Sequence, residues 1–123
     1  MLKVHAKNLG TVAVVGLQGR IVIGETEILR NAVGSLSEVS AVILDFARVI
    51  TVDAHGLGVM LELRAQTQSR GVGFKLINVT KFVSNVLKVT RLDSVFEITS
   101  GAELMPVISR ARHVPAMEFA RCA

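Results

Sequence analysis

A chain of 123 residues is the size of one ordinary domain, and with half of it hydrophobic and a fifth charged, disorder is excluded. The net charge is +4, but the basic residues are scattered and neither Trp nor Tyr is present to stack bases, so no nucleic-acid partner is expected. No apolar run approaches the ~20 residues of a membrane span, and the single cysteine, Cys122, excludes an internal disulfide.

The opening "LKVHAK" alternates, as an edge or half-exposed strand does. "TVAVVGL", from Thr11 to Leu17, is apolar nearly throughout and predicts a buried strand. In "ETEILRNAVGSL", Ile28, Leu29, Ala32, Val33 and Leu36 recur at helical spacing. "AVILDF", Ala41 to Phe46, is a second buried strand, with Asp45 at its end as a turn or cap partner.

The next stretch is "TVDAHGLGVM". Asp53 is placed to cap a helix whose apolar stripe is Leu57, Met60, Leu61 and Ala65, with Glu62, Arg64, Gln66 and Gln68 left for water. Gly56 lets the backbone enter the helix tightly, and Gly58 is expected to allow close packing on the sheet. Arg70 and Gly71 stop the helix. "FKLINV", Phe74 to Val79, is a third buried strand; Thr80 then caps a helix expected to bury Phe82, Val83, Val86 and Leu87. A last helix is expected from Ala102 to Arg110, with Pro106 as a kink or a late start.

Strands alternating with helices give an α/β fold, a small and largely parallel sheet packed with about four helices. Residues 1–111 form the domain and 112–123 a tail, in which Met117 and Phe119 leave two arrangements open: a frayed end, or an arm docked on the neighbouring subunit of a homodimer. The basic residues Arg110, Arg112, His113 and Arg121 are read as solvated charge. The amino terminus lacks the apolar stretch of a secretory signal, which predicts a cytoplasmic location without membrane insertion.

"DAHG" invites an acid–base reading, which the chemistry disfavours. Residues two apart on a helix do not face each other, a capping carboxylate is already engaged, and neither a GxSxG elbow nor an internal cysteine offers a nucleophile. His5, His55 and His113 have no metal-ligand spacing, and the glycines miss the GxGxxG pattern. Neither an enzyme nor a cofactor is expected. Thr51, the closest hydroxyl before Asp53, is expected to be buried or in a loop, bonded to backbone.

From residue 41 the order of features is specific. Asp45, Asp53, Gly56, Leu57, Gly58, Leu61, Gly71, Asn78, Leu87, Leu92, Asp93 and Phe96 fall in turn on the "vvlDls", "DSSGLGvL", "rG", "lvn" and "GLdxlf" pattern of the STAS family, which the sequence therefore resembles. That domain is shared by anti-sigma-factor antagonists and sulphate transporter tails. The resemblance implies regulatory binding without catalysis, to an anti-sigma factor that is also a serine kinase and phosphorylates the second serine of "DSSG". Here the two serines are Ala54 and His55, both acids of "GeLd" are absent after Gly19, and Arg91 replaces the glycine before "LD". A serine kinase cannot use an imidazole.

With these departures, the resemblance implies an anti-sigma-factor antagonist acting by partner switching but lacking the phosphorylatable serine. Asp53, Ala54, His55, Gly56, Leu57 and Gly58 are then the partner-binding set. His55 is a neutral surface residue left by a lost switch, a partner contact, or a phosphohistidine or pH-sensing site. The alternative is a STAS subunit of a transport complex, with a permease and ATPase of the lipid-trafficking ABC type as partners.

Overall fold

The computed structural model describes residues 1–99. Two antiparallel strands, β1 (Lys3–Leu9) and β2 (Val12–Ile21), open the chain, turning through Gly10 at φ +66°. Then come α1 (Glu27–Gly34), β3 (Ala41–Val52), α2 (Ala54–Ser69), β4 (Gly73–Ile77), α3 (Lys81–Val89) and β5 (Glu97–Thr99). The sheet order is β1-β2-β3-β4-β5, and every pair after the first is parallel. A right-handed crossover always stepping the same way stacks its helices on one face. The predicted fold class is the observed one, with three helices among the described residues; the expected helix from Ala102 to Arg110 lies outside them, as does the 111/112 boundary.

The core is built between that face and the helices. Val15, Leu17, Val42, Leu44, Phe46 and Leu76 of the sheet meet Leu29 and Val33 of α1, Met60 and Leu63 of α2, and Val83 and Leu87 of α3. Phe46 and Met60 are wholly buried, each contributing ~1.5–3 kcal/mol by transfer from water. A smaller cluster of Val12, Ile43 and Ile77, joined by Leu9, Val14 and Ala41, forms on the opposite face and contains no residue of the three helices.

Several expectations are corrected by the structure. β3 does not end at Phe46 but runs to Val52, because a bulge absorbs one extra residue: Gly16 pairs with Asp45 and Gln18 with Arg48. The Asp45 carboxylate accepts from the Ala47 backbone N–H at 3.0 Å inside that bulge and from the Asn78 amide at 3.1 Å. Asp45 is thus the turn partner expected, but in mid-strand. Thr51 is also inside β3, half-buried and paired with Arg20, not in a loop.

The helix stripes shift as well. In α2 the buried residues are Gly56, Leu57, Val59, Met60, Leu63 and Thr67, while Ala65 is exposed. Phe82 stands 54% exposed and Ile28 46% exposed, because α3 and α1 are short and turn only Val83 and Leu87, or Leu29 and Val33, fully inward. Thr80 caps α3 as expected, accepting from the Val83 N–H at 3.3 Å. Arg70 and Gly71 end α2, with Gly71 at φ +72°.

Candidate functional site

Where β2 and β3 end side by side, their carboxyl edges deliver Ile21 and Val52 as the last paired residues. The chain after each must turn, and the two turns meet. Asp53 has extended backbone and caps α2: one carboxylate oxygen accepts from the Gly56 N–H at 2.7 Å. Its other oxygen accepts from the backbone N–H of Ile23 at 3.0 Å, across to the β2–α1 loop. These two donors, Gly56 first, hold the carboxyl below its usual range, against a smaller opposing effect of desolvation. An acid so engaged orders two loops; it is not a free proton acceptor.

Gly56 is required by shape. A Cβ there would sit 2.0 Å from the carbonyl oxygen of Ile21, so the first turn of α2 abuts the end of β2 with no room for a side chain. Gly58 is the contrary case. A Cβ at that position meets nothing within 4 Å, and the residue is exposed, so the expected packing of Gly58 on the sheet is not what the structure has.

His55 is exposed in the first turn of α2, and its Nε2 lies 3.1 Å from the hydroxyl of Thr26. Thr26 is 3% exposed and holds the N-cap position of α1, yet its hydroxyl makes no capping bond to that helix. The imidazole therefore ties the start of α2 to the start of α1. Farther along the same two helices, the Arg30 guanidinium forks onto Glu62 at 3.1 and 3.2 Å and also pairs with Glu27, which raises its pKa.

The six residues expected at the site come together around one helix start, but not on one surface. Ala54, His55 and Gly58 are exposed and Asp53 half-buried; Gly56 and Leu57 are buried, one against Ile21 and the other in the core. Two contributors went unread in the sequence. Thr26 supplies the partner of His55, and Ile23, 70% exposed, stands beside Asp53. The signal for both was the crossover itself: parallel β2 and β3 must end together, so the loop after β2 borders the loop after β3.

A singly wound sheet of five strands, with its described helices on one face and an exposed helix start after the long central strand, defines a small α/β domain of a particular kind. The chain belongs to the STAS family: the family model described as "Mlab, STAS domain" matches residues 4–100. The fold is similar to that of a putative anti-sigma factor antagonist from Thermotoga maritima (TM-score 0.74, 22% identity, 85% of this chain and 93% of that one). It is also similar to an anti-sigma factor antagonist from Mycobacterium paratuberculosis (TM-score 0.70, 18% identity, 88% and 94%). A sulfate transporter family protein from Wolinella succinogenes shares it too (TM-score 0.71, 17% identity, 82% and 87%). Among the described residues no helix is long and apolar enough to cross a membrane, and no group of three or more His, Cys, Asp or Glu side chains converges.

Proposed function

We propose that this chain is a non-catalytic binding module that engages another protein through the start of α2 and the adjoining β2–α1 loop, as an anti-sigma-factor antagonist without a phosphorylation switch at residue 55. One observation carries this reading. The exposed side chains of Ala54, His55 and Ile23 stand on a backbone already fixed by the Asp53 carboxylate and the Thr26 hydroxyl, so binding orders little that is not ordered already. Contacts to a partner would come from Ile23, Ala54, His55 and Gly58, while Gly56 and Leu57 support them from within. With an imidazole where a hydroxyl would accept phosphate, the association would be constitutive and controlled by abundance. A cytoplasmic location goes with this reading.

A second reading, a subunit of a transport complex, is favoured by the description of the matching family model and by the neighbour from Wolinella succinogenes. In that case the same surface would meet a permease-associated ATPase.

Affinity capture from the native cell extract with the wild-type chain, His55→Ser and Ala54→Arg separates the two by mass spectrometry. Recovery of an anti-sigma kinase by the first two forms, with phosphate only on His55→Ser and loss of the partner with Ala54→Arg, is the expected result. Recovery of a permease and ATPase with no kinase on any form would replace the first reading by the second. A partner held equally by Ala54→Arg would remove this surface from either.

A further inference from the structure

The sheet has a second face, and on it the β3 bulge opens a concavity of about 460 Å³ well away from α2. Two adjacent rungs of the ladder line it. One carries His5, Gly16 and Asp45; the other carries Lys3, Gln18 and Arg48. Gly16 has no side chain, so the middle of its rung is a floor of backbone between a histidine and an aspartate. The bulge matters because the extra residue returns Arg48 to this face beside Gln18; a regular strand would put Ala47 there. Lys3 and Arg48 then stand on either side of Gln18, two strand spacings or ~10 Å apart at the backbone, within reach of one group held between them. Among the described residues neither forms an ion pair, whereas Lys75, on β4, is paired with Glu97.

We propose that this trough binds a small phosphate ester that carries hydroxyl groups. Lys3 and Arg48 hold the phosphate, the Arg fork and the ammonium both being donors suited to its oxygens, and the Gln18 amide adds a third. Asp45 decides the rest of the ligand. One of its oxygens is engaged by Ala47 and Asn78, and the other has no partner among the described residues, so it is set to accept from a ligand hydroxyl on the far side of the Gly16 floor. A bare anion would gain the two cations but meet this carboxylate. A polyol phosphate satisfies both ends, and the volume falls in the ordinary range for small-molecule sites. The phosphate could belong to a soluble ester or to a glycerophospholipid head.

The probe is glycerol 3-phosphate, titrated into the full ¹⁵N-labelled chain at low ionic strength, beside glycerol and inorganic phosphate. Amide shifts should cluster on Lys3, His5, Gln18 and Arg48, with glycerol 3-phosphate binding at least ~5-fold more tightly than phosphate and glycerol not at all. Lys3→Ala and Arg48→Ala should each weaken binding at least ~5-fold, and added salt should weaken it further. Gly16→Val fills the floor at a position with room for a Cβ, the nearest atom being the His5 carbonyl oxygen at 3.7 Å, and should abolish binding without lowering the unfolding midpoint. Cosedimentation with phosphatidylglycerol vesicles, lost in Arg48→Ala, would assign the phosphate to a lipid head; binding of the soluble ester alone would assign it to a free metabolite. No binding of either probe, or binding that survives both Arg48→Ala and Gly16→Val, overturns the proposal.

Discussion

The hydroxyl of Thr26 and the Nε2 of His55 are bonded at 3.1 Å across 29 residues of sequence, so the starts of two helices share one polar contact. Thr26 directs its side chain out of its own helix to make it. Thr26→Val keeps the buried volume and removes the bond, and should lower the unfolding free energy by about 1 kcal/mol in urea titrations. The His55 ring should gain rotameric freedom at the same time, seen as sharper and more averaged imidazole resonances. An unchanged ring signal would mean that the bond does not hold His55 in solution.

The two glycines of "HGLG" should respond in opposite senses. Gly56→Ala drives a methyl into the Ile21 carbonyl and should destabilise by more than about 2 kcal/mol, since neither backbone segment has room to yield. Gly58→Ala places its methyl in open space on a helix and should stabilise by ~0.5–1 kcal/mol. If both variants lose stability alike, α2 enters the sheet differently from the geometry described.

Asp53 links stability to pH with a definite sign. Its carboxyl is held low in the folded chain by the Gly56 and Ile23 donors, so its contribution is present above the unfolded-state carboxyl pKa of about 3.9 and fades as pH falls through the folded value. Asn still accepts a capping bond but does not titrate. The difference in melting temperature between wild type and Asp53→Asn should therefore be constant near neutral pH and shrink on acidification below about pH 4. A gap that widens there would reverse the assignment.

Arg91 lies just past the end of α3 with φ +62°, the left-handed region, and its neighbours close the helix: the Leu92 N–H donates to the Leu87 carbonyl at 2.8 Å. The STAS pattern has glycine at this position, and the backbone angle gives the reason. Arg91→Gly should raise stability by roughly 1 kcal/mol, the cost a side chain meets in this region. A loss on thermal or urea unfolding would mean that the guanidinium makes contacts worth more than the strain.

The fold was legible because its signals are local. Three β-branched runs and their intervening helical periods gave the parallel order, and Asp53 and Thr80 announced two helix starts by residue type alone. Phe82 and Ala65 were misplaced because periodicity reports that a stripe exists, but not how wide a short helix turns it inward. The bulge at Asp45 was invisible for a related reason: one inserted residue leaves the composition of a strand unchanged while reversing the face of everything after it. At the candidate site the sequence located Asp53 through Gly58 as one stretch. It could not supply Thr26 or Ile23, which arrive through the crossover, and the missing serine drew notice to residue 55 without hinting that its side chain is tethered.

Strand order in this sheet equals chain order, with no strand inserted between earlier neighbours. Each new strand therefore needs only the edge left by the one before it, starting from a hairpin that requires nothing else to pair. Loop closures stay short, which favours rapid folding. As the chain leaves the ribosome, β1 and β2 are available to zip first, and each later unit of helix and strand docks on a finished edge. A nascent chain halted after α2 would already hold the complete Thr26–His55 contact and the Asp53 cap, with only β4, α3 and β5 still to be laid down.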